Sequence, residues 1–193
     1  MAPKFRSLSL LLALVSALAF MPAAHATSYV MMKDADLAAQ SPVIATVTVL
    51  GHATRMSQGI PATFYRVEVV RVMKGSVPGG TIEVRVPGGA LPSGVGLKLY
   101  GAPTFKNGDE AMLFLQQRPD GSYGIMQFLL GAFHKVNVGG KALALRFLSE
   151  AHQLGGPAEQ PRDFSKFSQW LADRAQGVKR APDYFTQVSA SNL

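Results

Sequence analysis

Thr63-Phe64-Tyr65-Arg66-Val67-Glu68-Val69-Val70-Arg71-Val72-Met73-Lys74-Gly75 and, after a turn, Thr81-Ile82-Glu83-Val84-Arg85-Val86 carry the strongest structural signal in the chain. In the second segment Ile82, Val84 and Val86 fall on one side and Thr81, Glu83 and Arg85 on the other. One dry face and one wet face predict a strand of an antiparallel sheet. The first segment alternates in the same way through Tyr65, Val67 and Val69. It then slips phase, because Val70 and Val72 are apolar and Arg71 is polar. A one-residue slip in a period-two pattern is the mark of a β-bulge, which bends a strand. A strand partly buried on both faces is the alternative. Lys74 to Gly80 and Pro87-Gly88-Gly89 punctuate the pair as turns.

The rest of the chain fits around this pair. Val43 to Leu50 is nearly all β-branched or apolar and reads as a buried strand. Gly51 to Ala62 contains Gly51, Gly59 and Pro61 and reads as a loop. Lys33 to Gln40 is helix-compatible and stops at Ser41-Pro42, since the residue before proline is pushed out of the helical region. Ala90 to Asn107 is a long, unusually apolar loop with room for a short strand at Gly96 to Tyr100, and loops of that length are often functional. Strands follow at Glu110 to Gln116, Tyr123 to Leu130, Ala132 to Val138 and Lys141 to Phe147. Asp120-Gly121 and Gly139-Gly140 supply the turns between them.

Past the strands the composition changes. Residues 151–162 read as a linker. From Asp163, a good N-cap, Phe164, Phe167, Trp170, Leu171 and Ala175 recur at helical spacing up to Gly177. An aromatic stripe of this kind packs on its own domain more often than it docks on a partner. Residues 163–185 are therefore a C-terminal helix and extension, and 186–193 a flexible tail. The expected fold is mainly β: a small antiparallel barrel over 27–150, with a short N-terminal helix and a C-terminal amphipathic helix. A β-sandwich is the main competitor.

The first residues predict export. Lys4 and Arg6 precede an apolar run from Leu8 to Phe20, then Pro22 and Ala24-His25-Ala26, the layout of a secretory signal cleaved after Ala26. An uncleaved anchor is the weaker alternative, because the run is short for a bilayer. Losing Lys4 and Arg6 lowers the formal charge from +7 to +5. A mild positive excess favours anionic partners without making a nucleic-acid protein. The basic residues are scattered, apart from Arg174, Lys179 and Arg180. With no cysteine in the chain, disulfides, thiolate metal sites and cysteine nucleophiles are excluded.

The motifs of catalysis do not form in the sequence. His52, His134 and His152 share no ligand spacing. Ser93 lies in Pro92-Ser93-Gly94 rather than in a nucleophile elbow. Asp34 and Asp36 diverge on a helix. Asp109 and Glu110 point apart at the start of a strand. Glu68 and Glu83 alternate with Arg66, Arg71 and Arg85, as cross-strand charge pairing requires. The glycine pairs do not open a helix after a strand, so no phosphate loop is read.

Asp34-Ala35-Asp36-Leu37 with Val43-Ile44-Ala45-Thr46-Val47, and the long strand ending in Lys74-Gly75, resemble the opening of netrin-like or TIMP-like domains. Thr81 to Gly89, Phe105 to Glu110 and Arg162 to Phe185 resemble a group of secreted bacterial β domains, some of which stand before matrixin-type zinc peptidase domains. The resemblance implies an OB-like five-stranded barrel with additions. It does not carry inhibition over. TIMP-type inhibitors place an N-terminal cysteine on the catalytic zinc, and the expected mature terminus here, Thr27-Ser28-Tyr29, offers no thiolate.

The functional expectation is a periplasmic or secreted, non-catalytic interaction module that needs no cofactor and binds another exported or envelope protein. The candidate surface is Leu97, Leu99, Tyr100, Phe164, Phe167 and Trp170. The alternatives are an inhibitor or accessory domain of a secreted metallopeptidase, and an enzyme whose site assembles only in the fold from His52, His134, Asp109 and Ser93.

Overall fold

A computed structural model describes residues 27–154 and 159–187 of the chain. The expected leader (1–26), part of the expected linker (155–158) and the end of the expected tail (188–193) lie outside the described residues. The protein is mainly β, with two α-helices among the described residues. In chain order the elements are β1 (Thr27–Tyr29), α1 (Asp34–Gln40), β2 (Val43–Ser57), β3 (Ile60–Lys74), β4 (Thr81–Pro87), β5 (Gly89–Ala90), β6 (Gly96–Leu97), β7 (Glu110–Gln117), β8 (Tyr123–Ile125), a 3-10 turn (Phe128–Gly131), β9 (Ala132–Val138), β10 (Lys141–Leu145), β11 (Ala151–Gln153), β12 (Arg162–Asp163) and α2 (Phe164–Ala175).

One large sheet runs in the order β12-β10-β9-β7-β2-β3-β4-β8, and β8 also pairs with β7. The pairing therefore comes back on itself through β7-β2-β3-β4-β8, a partly ring-like arrangement. Its neighbours are antiparallel except β4 and β8, which run parallel through Val84↔Tyr123 and Arg85↔Gly124.

Period-two alternation sends side chains to two cores. Val43, Ala45, Val47, Val67, Ile82, Val84, Leu113 and Tyr123 fill the inside of the ring. Ile44, Met112, Phe114 and Phe133 point the other way, where α1 and α2 cover them with Leu37, Phe167, Trp170 and Leu171. β2 and β7 thus run between two dry layers, and that is why Val43–Leu50 and Ala111–Leu115 read as continuous apolar runs. β4 borders only the inner core, so its Ile82, Val84 and Val86 keep a clean alternation and are buried as expected.

The phase slip in β3 is a bulge. Thr46 pairs with Arg71 and Val47 with Val69, which leaves Val70 as the extra residue, turned out and exposed. Other expectations need correction. Gly51 to Ala62 is a hairpin arm rather than a loop. β2 continues to Ser57 and β3 begins at Ile60, around the two left-handed residues Gln58 (φ 53°) and Gly59 (φ 79°). Two consecutive positive φ values make the tight reversal that matches strand twist. Gly51 sits at a register shift opposite Arg66, so it bends the strand without ending it.

The strand expected over Tyr123 to Leu130 stops at Ile125. Gln127 and Phe128 both turn left-handed (φ 53° and 49°), and the 3-10 turn follows. The last expected strand stops at Leu145, because Arg146 turns into the protein. Arg85, assigned by alternation to the wet face, is buried.

The helix signals hold locally. Ser41 closes α1, its hydroxyl and its N–H both donating to the Leu37 carbonyl. Asp163 accepts from the Lys166 N–H at 3.0 Å, as an N-cap does. Beyond α2 the chain doubles back. The Asp163 N–H donates to the Tyr184 carbonyl, and the Thr186 N–H to that of Pro161. Tyr184 is thereby buried against Phe167 and Trp170, with ring centroids 4.7 and 5.0 Å away.

Candidate functional site

The long loop from Ala90 to Asn107 forms a wall between two cavities, and Leu99 faces both. On one side Leu97 and Leu99 join Thr63, Tyr65 and the Gly88–Ala90 backbone around a cleft of ≈ 610 Å³. Gly89 is required there. Its φ is +125°, and a Cβ would collide with the hydroxyls of Thr54 and Thr63. Those hydroxyls lie 3.2 Å apart, and Thr63 donates to the Gly88 carbonyl. Lys98 and Glu150 close an exposed ion pair of 3.1 Å, and both also line the cleft.

On the other side Leu99 and Tyr100 face Tyr29, Val30, Phe128 and Leu130 across a groove of ≈ 560 Å³ lined by no charged residue. Its lip is apolar and wet: Val30 is 62% exposed, Tyr100 45% and Phe128 48%. Phe128 holds its ring there from a left-handed backbone that a bulky residue adopts only under constraint, at a cost of about 1–3 kcal/mol. Alternation could not disclose Tyr29, Val30 and Phe128 as partners of the loop. They come from β1, the residue just after it and the 3-10 turn, far apart in sequence, and the groove exists only where those segments meet.

The helical part of the expected surface fares differently. Phe167 and Trp170 are buried, Phe167 against the rings of Phe133 and Phe114, and Trp170 with its indole N–H donating to the Arg180 carbonyl. Neither can serve as a free docking residue. The stripe packs on the protein's own sheet, because the outer faces of β2 and β7 present Ile44, Met112 and Phe114 to it. Phe164, half-buried at the start of α2, has the Lys135 ammonium 5.5 Å from its ring centre. It does not adjoin Leu97, Leu99 or Tyr100 in either cavity.

The residues weighed for catalysis are spread out. His52, Tyr65, Phe105, His134 and Phe147 form a row of rings in which neighbouring centroids are 5.7, 5.1, 4.9 and 4.1 Å apart. The two histidines are thus separated by two aromatic rings. His134 is buried, which pushes its pKa down, while the Asp109 charge opposes that shift. The Asp109 carboxylate accepts from the Lys106 N–H at 2.7 Å. Ser93 is exposed in a turn and lines neither cavity. This placement gives no nucleophile–base–acid chain. Among the described residues no three histidines or carboxylates are grouped to hold a metal ion, and the His152 side chain lies outside them.

One polar constellation was not legible in the sequence. Asp34 accepts from Arg146 (Nη2, 3.0 Å), Arg162 (Nε, 2.7 Å; Nη2, 3.0 Å) and the Tyr184 hydroxyl (3.0 Å), all in the interior. Glu159 takes the remaining Nη1 groups of both arginines. Burial beside this carboxylate pushes the Tyr184 hydroxyl pKa up. Two carboxylates balance two guanidiniums, and Phe133 lies against both arginines. The cluster is a satisfied structural network. Beside it is a cavity of ≈ 350 Å³ walled by Met31, Met32, Trp170 and Phe185.

Compared with known proteins, the chain matches no family model, and no curated protein matches it either.

Proposed function

We propose that the chain is an exported, non-catalytic binding module that takes an apolar segment of another exported or envelope protein into the groove between β1 and the Leu99–Tyr100 loop. The observation that carries this reading is the uncharged groove itself, with Val30, Tyr100 and Phe128 exposed along its lip. Apolar side chains grouped in a concavity and left in water mark interaction sites more often than scattered ones do. The leader-like segment before Thr27 supports export, and the cysteine-free composition suits a domain held by its core alone.

The test is a photo-crosslinking residue at position 100, with one at the exposed Lys179 as control. Envelope proteins should form an adduct through position 100 and lose it when Phe128→Ser is added. Adducts identical to those from position 179, or unaffected by Phe128→Ser, would sink the reading.

The second reading is an inhibitor or accessory domain of a secreted metallopeptidase. It is favoured by the way the ring of strands returns. Counted along the chain, its five strands lie in the order first, second, third, fifth, fourth, with the third and fifth parallel, which supports an OB-like barrel of the kind the resemblance implies. An excess of the protein that leaves the rate of a secreted metallopeptidase unchanged removes this reading.

A further inference from the structure

Where the tip of the β2–β3 hairpin meets the β7–β8 turn, the outer face of the ring holds two arginines that make no ion pair among the described residues. Arg85 comes from β4 and is 4% exposed. Arg118 comes from the turn after β7 and folds over Gly124, the partner of Arg85 on β8. A Cβ at Gly124 would come within 3.1 Å of the Arg118 Nη1. The Arg118 guanidinium therefore lies over the strand position beside Arg85, and its charge acts on Arg85.

Among the described residues each makes one hydrogen bond, and both acceptors are neutral and on the hairpin tip: Arg85 Nη2 to the Ser57 carbonyl and Arg118 Nη2 to the Gln58 side chain, each 3.3 Å. The Nε–H groups of both are buried and unpartnered. Among the described residues no carboxylate comes within ion-pair distance of either arginine. The nearby acids are engaged elsewhere. Glu83 holds Arg55 in a two-pronged pair of 2.8 and 3.2 Å. Asp120 accepts from both the N–H and the hydroxyl of Ser122, bonds that hold its pKa down, and its charge acts on Arg118 and Arg85 only from beyond ion-pair distance.

A buried guanidinium with no ion pair and an unmade hydrogen bond is costly; burial and then the Arg118 charge pull the Arg85 pKa down, and the Asp120 charge offsets only part of this. Elsewhere this protein spends carboxylates on its interior arginines: Arg146 and Arg162 are balanced by Asp34 and Glu159. Among the described residues Arg85 has no carboxylate at ion-pair distance. A buried donor left over in this way calls for a water or an ion, and two guanidiniums select an anion that can accept from both.

We propose that Arg85 and Arg118 together form a binding site for a small oxyanion, a phosphate or a carboxylate group, that bridges their side chains. Half-exposed Arg118 is its solvent side. Gly124 makes room for the Arg118 stem, and the hairpin tip at Ser57–Gln58 orients both forks. The site is separate from the apolar groove, so it stands or falls independently of the binding role proposed there.

The experiment follows the arginine Nε–H resonances of the full mature chain by NMR in phosphate-free Tris chloride, while inorganic phosphate, acetate or further chloride is added. Arg118→Lys and Arg85→Lys, which delete one Nε–H and keep the charge, assign the two signals. If Arg85→Lys does not fold, the half-exposed Arg118 supplies the assignment. Both signals should move along one saturable curve, and Arg118→Gln should raise the midpoint at Arg85 by about tenfold or more. Saturation by phosphate alone assigns a phosphate-type ligand, and saturation by acetate as well assigns a carboxylate. If neither anion saturates, if chloride reproduces the response, or if Arg118→Gln leaves the midpoint unchanged, the site does not exist.

Discussion

His134 shows what a single side chain contributes. β9 sets it between Phe147 and Phe105, with ring centroids 4.1 and 4.9 Å away, and the surrounding protein strips its water. Its folded pKa lies below the ordinary 6.5 because burial penalises the imidazolium, while Asp109 offsets part of the penalty. The unfolded chain then binds a proton that the folded one resists. Stability should be greatest above the unfolded value, decline as pH falls through it, and level off below the folded pKa. His134→Gln keeps a neutral polar group and removes the titration. Urea unfolding followed by Trp170 fluorescence between about pH 5 and 8 should therefore show a smaller acid loss in the variant than in the wild type. Equal slopes would place the acid sensitivity elsewhere.

At the scale of elements, the end of β3 is a fastening point. The Lys74 ammonium donates to the Ala38 and Ala39 carbonyls at 2.6 and 3.1 Å, closing the C-terminal turn of α1. Gly75 follows at φ +75°, and a Cβ there would collide with the Pro42 carbonyl just before β2. One lysine and one glycine thus clamp α1, the start of β2 and the end of β3, which gives the Lys-Gly ending a physical reason. Gly79 is a built-in control, since its φ is +80° but nothing lies within 4 Å of its Cβ position. Gly79→Ala should cost about 1 kcal/mol, the penalty of left-handed backbone alone, whereas Gly75→Ala should cost about 2 kcal/mol or more. Urea midpoints compare them, and equal losses would show that the close approach to Pro42 contributes nothing.

For the molecule as a whole, the Asp34 cluster ties distant parts of the chain together. Asp34 opens α1, Arg146 follows β10, Arg162 lies in β12, and Tyr184 comes from the returning C-terminal segment. Removing the carboxylate leaves two interior guanidiniums short of charge. Asp34→Ala should cost about 3–5 kcal/mol, whereas Tyr184→Phe, which deletes one neutral donor, should cost about 1 kcal/mol. Denaturant unfolding measures both. A loss for Asp34→Ala as small as that for Tyr184→Phe would mean that Glu159 alone balances the arginines.

Much of the architecture is local and so was readable along the chain. Alternation at Ile82, Val84 and Val86 sets a face of β4, the slip at Val70 is a bulge, Ser41-Pro42 ends α1, and Asp163 starts α2, because each depends on neighbours a few residues away. The Gln58–Gly59 reversal, the short β8 and the burial of Arg85 on the outer face escaped that reading, since breakers and alternation do not tell which face a neighbouring segment will cover. The candidate sites were the least legible. Leu99 and Tyr100 could be singled out as an apolar loop, but their groove needs β1 and the 3-10 turn. Arg85 becomes a buried charge only because Arg118 and the hairpin tip close over it. Local propensity places most strands and helices, whereas burial and unmatched charge belong to groups brought together from far along the chain, and only the tertiary fold assembles them.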